Sequence, residues 1–220
     1  MKKKIFITGS SGFIGFHVAK KFLEKGFKVH GYDSMNKYYD VKLKNSRLRI
    51  LKKFKQFSFT KNILENEKIL NNSLSKFKPT IIIHLAAQAG VRYSIENPDT
   101  YLKANIIGTY NVIKLSNKFK VKHLIIGSSS SVYGANKKIP FQEIHKTDNQ
   151  VSFYAATKKS TESIAHSYSS LWKLPITMLR FFTVYGPWGR PDMALFDFVK
   201  KIIKKKSIDL FNYGKHSRDF

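Results

Sequence analysis

The chain has 220 residues, no cysteine, and 40 lysines and arginines against 14 acidic residues, for a formal net charge of +26. Without cysteine there are no disulfides or thiolate metal sites, and a reducing compartment, the cytoplasm, is expected. The 42% of hydrophobic residues is enough for a packed core and excludes global disorder.

The charge raises the question of nucleic acid. Only six of the 40 cations are arginines, and the lysines are spread along the whole chain. A nucleic-acid reader concentrates arginine and stacking aromatics on one surface. The charge therefore reads as lysine-rich solvated faces: no specific nucleic-acid partner is expected, only weak attraction to polyanions at low salt. Met1-Lys2-Lys3-Lys4 is followed by just Ile5-Phe6-Ile7 before Thr8-Gly9, too short for a signal-peptide core. No stretch approaches the roughly 18 apolar residues of a membrane span, so no membrane association is expected.

In chain order, Lys4–Thr8 reads as a first strand, and 13–25 has helical spacing with Ile14, Val18 and Phe22 on one side. Gly26 stops that helix. A second strand over 28–32 ends at Asp33; 37–55 is basic and mostly helical; 56–60 is a third strand and 64–77 a third helix. After Pro79, residues 80–85 form the continuous apolar run of a parallel strand buried on both faces. A long helix over 98–118, a strand over 123–127, a helix over 152–172 and a strand over 176–180 follow. The rest reads as a helix over 193–205 and a short strand over 208–211. Such alternation predicts an α/β fold, a doubly wound parallel sheet of Rossmann type, with the ligand beyond the carboxyl ends of the strands. Gly9, Asp33, residues 84–89, residues 128–131 and Thr183 all fall at those ends.

Two motifs carry the chemistry. Gly9, Gly12 and Gly15 follow the first strand as GxxGxxG. This suits a sharp turn, close approach to a pyrophosphate and tight helix–strand packing, with the helix amides facing the negative oxygens. A glycine-rich turn without ligand fits the same spacing. Asp33, eighteen residues after Gly15 at the end of the next strand, favours the dinucleotide. Its carboxylate can hold the adenosine ribose hydroxyls and would repel a 2′-phosphate, so NAD is expected rather than NADP. The second motif is Tyr154 with Lys158, four apart on one helix face. A phenol is a poor base at its ordinary pKa of about 10, and a nearby ammonium favours the phenolate. Ser129 can share the substrate hydroxyl with Tyr154, and Lys158 can hold the nicotinamide ribose. YxxxK alone occurs by chance in helices; joined to the glycine turn it predicts proton removal from a carbinol coupled to hydride transfer.

With these residues the chain resembles the extended short-chain dehydrogenase/reductase family, and within it the nucleotide-sugar 4-epimerases. The stretches that carry the resemblance are TGSSGFIG, GYD, HLAAQAGVRYS, SSSSVYG, YAATK and LRFFTVYGPWGRPDMALF, which span nearly the whole chain. The last is similar to the pattern of UDP-glucuronate 4-epimerases. The resemblance implies Ser129, Tyr154 and Lys158 as the catalytic triad, and Ser11, Phe13, Ile14, Asn62, Ile63, Leu85, Ala86 and Ala87 as further cofactor contacts. It puts Thr183 and Arg190 at a sugar carboxylate, and Gln88, Arg92 and Ser130 near the substrate. Asn62 stands where the family often has Asp, which implies weaker selectivity at the adenine. It also implies a Rossmann domain over 1–180, the start of a substrate-binding domain over 181–220 with about a hundred further residues usual in the family, and a homodimer through the helices at 98–118 and 152–172.

Relatives that dehydrate or decarboxylate their sugars place an acid just before VYG. Here those positions are Ser130 and Ser131, which ionise at no useful pH. Four-epimerisation needs no such group. The expected function is NAD-dependent conversion of UDP-glucuronate to UDP-galacturonate by transient oxidation at carbon 4. Neutral or N-acetylated UDP-sugars, or an inactive NAD-binding fragment, are the alternatives. His84 suits a packed strand end, and no metal is expected.

Overall fold

The computed structural model describes residues 3–209 and 211–215. Six strands form one sheet: β1 (Lys4–Thr8), β2 (Lys28–Asp33), β3 (Phe57–Lys61), β4 (Ile81–His84), β5 (His123–Ser129) and β6 (Ile176–Phe181). Their order is β3-β2-β1-β4-β5-β6, every pairing parallel. This is the doubly wound order in which the strand direction of travel reverses between β1 and β4, and the ligand crevice opens there.

The two faces of the sheet are separate cores. Successive residues of β1 point to opposite sides. Phe6 packs with Ile82, Leu124 and Ile126 against one helix layer, while Ile5 and Ile7 pack with Val29 and Ile83 against the other. The first layer contains α3 (Glu67–Phe77), α6 (Gly108–Lys118) and α7 (Phe153–Trp172); the second contains α1 (Phe13–Glu24) and α2 (Val41–Leu51). Each large apolar side chain buried this way contributes about 1.5–3 kcal/mol.

Caps explain where the helices begin. The Asp40 side chain accepts the Lys42 amide, so α2 starts at Val41 and residues 37–40 form a turn instead of the expected helix. Asn66 accepts the Ile69 amide and starts α3 at Glu67, two residues past its acidic neighbour Glu65. Ser152 accepts the Ala155 amide ahead of α7.

Two further expectations are corrected. The long helix over 98–118 is a single rod with a change of winding: α5 (Pro98–Tyr101) passes through a π-helical stretch, Leu102–Ile107, into α6. A short helix, α4 (Tyr93–Glu96), precedes it. The strand over 208–211 does not form at Ile208 or Asp209, and Phe211–Gly214 is a 3-10 turn; Leu210 lies outside the described residues. A short segment is held extended by pairing with other strands, and none of the described strands pairs with Ile208 or Asp209. The helix before it, α8 (Ala194–Ile203), buries none of its residues, and Leu195, Val199, Ile202 and Ile203 are exposed.

Candidate active site

A cavity of about 900 Å³ runs along the carboxyl ends of the sheet. At one end it is floored by the β1–α1 turn. Gly9 has φ +71°, and a Cβ there would lie 2.7 Å from the Ala86 nitrogen. A Cβ on Gly15 would lie 2.0 Å from the Gly9 carbonyl oxygen. The turn therefore closes onto both β4 and its own helix, and only glycine fits. Gly12, Phe13 and Ile14 line the cavity beside it. Asp33 fixes the turn from the end of β2: its carboxylate accepts the Ser11 amide at 2.9 Å and the Met35 amide at 2.8 Å. Ser11 is fully buried and does not line the cavity; its part is played by its main chain, and its hydroxyl has no partner.

The β4 side of the cavity is also held by main chain. Thr8 Oγ1 accepts the amides of Leu85 and Ala86 and lies 2.7 Å from Nδ1 of His84. Nε2 of the same ring lies 2.9 Å from Thr109 Oγ1. With two amides donating to it, the Thr8 hydroxyl is left to donate to Nδ1, which fits a neutral imidazole protonated at Nε2. Burial, and then the nearby Lys158 charge, hold that imidazole neutral, its pKa pushed down to about 3. Asn62 and Ile63 line the cavity past β3, and Ala87 and Gln88 past β4. Gln88 is buried; its amide donates to Asn105 Oδ1 at 2.8 Å and its carbonyl accepts from Asn105 Nδ2. Asn105 sits in the π-helical stretch and also donates to Thr157 of α7. It joins the β4 loop to the helix that carries Tyr154.

The opposite end is made of side chains. Ser129 ends β5, Ser130 follows it, Tyr154 and Lys158 come from the first turns of α7, and all line the cavity with Thr183 and Arg190. Ser129 Oγ accepts the Ser131 amide at 3.2 Å. Lys158 is buried, and Nζ donates to the Gly127 carbonyl at 2.7 Å. Burial pushes its pKa down to about 8 against the opposing charge of Glu162. The Tyr154 phenol is pushed above its ordinary value by burial, opposed by the Ser129 hydroxyl and the Arg190 charge. The phenol is thus raised by burial rather than lowered by a neighbouring ammonium: Nζ of Lys158 donates to a carbonyl, and the Arg190 charge opposes the rise only in part.

Arg190 is not free-standing. Its Nε donates to Asp192 Oδ1 at 3.0 Å, and its Nη2 pairs with the other oxygen of the same carboxylate. Tyr38, from the segment after β2, donates to Asp192 at 3.1 Å. Behind the site, Glu162 accepts from Ser128 at 2.6 Å and pairs bidentately with Arg180. Arg92 is exposed at the start of α4 and outside the cavity lining, while the buried residue of that helix is Ser94. Motif reading passed over Arg47, Asn105, Glu162 and Asp192. Scarcity was a usable signal for two of the three charged ones: Arg47 is one of six arginines, and Asp192 is one of 14 acids, two residues from Arg190.

Residues 5–220 match the family model described as NAD dependent epimerase/dehydratase family. The chain is 52% identical over 217 residues to a probable UDP-glucuronate 4-epimerase of Rhizobium meliloti, covering 99% of this chain and 64% of that protein. It is 54% identical to Protein CapI of Staphylococcus aureus, covering 99% and 65%. The crystal structure of a UDP-glucuronic acid 4-epimerase from Bacillus cereus, in complex with UDP-glucuronic acid and NAD, superposes with a TM-score of 0.92 at 33% identity, covering 99% of this chain and 68% of that one. The chain thus spans slightly under two thirds of the length of these two curated relatives. It belongs to the NAD dependent epimerase/dehydratase family.

Proposed function

We propose that the protein is an NAD-dependent 4-epimerase of UDP-glucuronate. The observation that carries this reading is the convergence, in one cavity, of a glycine turn anchored to Asp33 with Ser129, Tyr154, Lys158 and the Arg190 guanidinium. A Cβ at Gly9 or Gly15 would collide with backbone, so the turn keeps its bare main chain against the cavity, which fits a dinucleotide. Asp33, already held by two amides, presents the carboxylate that suits ribose hydroxyls and repels a 2′-phosphate. NAD, when bound, supplies the acceptor and donor of hydride at carbon 4 of the sugar. Gly9, Gly12, Phe13 and Ile14 would hold its diphosphate; Asp33, Asn62 and Ile63 its adenosine; Leu85, Ala86, Ala87 and Lys158 its nicotinamide half.

The chain's own residues then handle the proton and the sugar. Tyr154 Oη exchanges the proton of the carbon-4 hydroxyl, and the Ser129 hydroxyl orients that oxygen. Lys158 keeps a positive charge under the same site, anchored on Gly127. Ser130 and Ser131 offer no acid or base for carbons beyond carbon 4, which favours epimerisation over elimination. Arg190 and Thr183 meet the sugar carboxylate; a planar guanidinium binds a carboxylate bidentately. Residues 181–220 would open the substrate-binding part of the protein.

One observation favours neutral UDP-sugars instead: Asp192 already occupies the Nε–Nη2 edge of Arg190. The two readings separate on Arg190→Ala. Hydrogen bonds to charged groups contribute about 1.5–3 kcal/mol, so turnover of UDP-glucuronate should fall about 10- to 100-fold while UDP-glucose is little changed. Equal losses on both would assign Arg190 to the fold or the diphosphate, and an unsubstituted protein that prefers UDP-glucose would support the neutral sugar. A homodimer through the outer faces of 98–118 and 153–172 is part of the same reading. Leu102, Ile107, Tyr110, Leu171 and Trp172 are exposed there; a monomer mass by light scattering at micromolar concentration would contradict it.

A further inference from the structure

The buried arginine of α2 links the two ends of the cavity. Arg47 is fully buried, with none of its surface exposed. Among the described residues its hydrogen bonds all go to uncharged oxygens and it forms no ion pair. Nη1 donates to the Ser11 carbonyl at 3.1 Å and to the Tyr39 hydroxyl at 2.7 Å. Nη2 donates to the carbonyls of Trp188 at 2.5 Å and Gly189 at 3.0 Å. Nε has no partner. A guanidinium taken out of water without a carboxylate beside it is costly, and here both terminal nitrogens offset that cost with two acceptors each.

The acceptors are informative by position. Ser11 is the residue whose amide Asp33 holds, in the middle of the Gly9–Gly12 turn. Trp188 and Gly189 immediately precede Arg190. The same loop rests on the first turns of α1: the Trp188 ring lies 5.8 Å from that of Phe16, and the Pro187 carbonyl lies 2.8 Å from His17 Nε2. Trp188 is held at φ +60°, a left-handed conformation unfavourable for a bulky residue and sustained only by its surroundings. One rigid planar fork thus bonds the turn proposed to take the diphosphate and the loop that aims Arg190.

We infer that Arg47 is a positioning residue that couples dinucleotide binding at the glycine turn to the placement of the Arg190 loop. This rests on the functional reading given above. A lysine cannot serve in its place, because one ammonium cannot span carbonyls on two segments as a planar fork does. Coupling of this kind is reciprocal: ordering the turn orders the loop, and a ligand on the loop tightens the turn.

Hydrogen–deuterium exchange, with and without saturating NAD, tests this on Arg47→Lys and Arg47→Met beside the unsubstituted chain, with circular dichroism as the check on folding. Exchange over 9–15 reports binding; exchange over 186–193 reports the Arg190 loop. In the unsubstituted chain NAD should slow both segments, the loop by about tenfold, a coupling of ordinary size. In Arg47→Lys, NAD should still slow 9–15 while its effect on 186–193 falls below about twofold. A purely structural role would speed loop exchange in the variant and leave the ratio with and without NAD unchanged. An unchanged ratio in Arg47→Lys, or in Arg47→Met where only that variant folds, overturns the coupling and leaves the NAD reading standing. No slowing of 9–15 in the unsubstituted chain overturns the NAD reading and the coupling with it.

Discussion

At the glycine end of the cavity the walls are main chain. The Gly9 amide donates to Tyr32, the Ser11 amide to Asp33, and a Cβ at Gly15 would meet a carbonyl at 2.0 Å. At the other end, Ser129, Tyr154, Lys158, Thr183 and Arg190 reach in from three segments, and Arg190 pairs with Asp192 of its own loop, which Tyr38 holds from the segment after β2. At Gly9 and Gly15 the first end leaves no room for a side chain, so changes there break the fold of the turn. The second is a set of side chains on a scaffold that would survive without them, so its changes should break chemistry and spare stability.

Tyr154→Phe is the sharpest way to break that contrast. It removes the proton carrier but not the ring, which lies 6.0 Å from that of Tyr101. Turnover should fall about 1,000-fold, within the range for general acid–base groups, with the melting temperature unchanged. A variant that keeps near-normal turnover would mean that another group moves the proton.

Gly15→Ala should act the opposite way. The added methyl must push α1 off the turn, at a cost of about 3 kcal/mol for an overpacked site, read as a lower urea midpoint and loss of NAD binding together. An alanine variant that binds NAD normally would show that the turn has slack the geometry does not allow.

The smallest effect concerns acid. His30, bonded to Ser58 and Thr60, and His84 are both held neutral by burial, with pKa values pushed down to about 4 and about 3. Their folded values lie below the unfolded 6.5, so the stability they contribute is complete above pH 6.5 and is lost as pH falls toward 4 and 3. Between pH 7 and 5.5 the two together should cost about 2 kcal/mol, visible as a falling melting temperature that His30→Gln makes shallower. A flat profile over that range would show that the rings are protonated in the fold or reach water.

How much of this was legible in the sequence follows the same division. A main chain crowded against itself leaves glycines, and Gly9, Gly12, Gly15 with Asp33 could be read directly; so could Tyr154 and Lys158, because helix spacing is local. Strand and helix alternation marked every strand of the sheet, for the same reason. What could not be read were contacts made across the fold. Arg47 meets Trp188 from 141 residues away, and Tyr38 meets Asp192 from 154. Asn105 reveals itself only through the π-helical winding that turns it toward Gln88 and Thr157. The strand expected over 208–211 has an apolar pattern, but Ile208, Asp209 and Phe211 pair with none of the described strands. The Tyr154 phenol was expected to be lowered by Lys158, but spacing alone could not show that Nζ is engaged by Gly127.

The claim on which the account turns is that one cavity joins a bound NAD to an acidic sugar. The most direct measurement is proton NMR of UDP-glucuronate incubated with the purified protein without added nucleotide, followed by assay of the nucleotide released on denaturation. The account predicts that UDP-galacturonate accumulates with no loss of carbon dioxide, faster than any conversion of UDP-glucose, and that the released nucleotide is NAD. Conversion of UDP-glucose alone, or release of NADP alone, would contradict it.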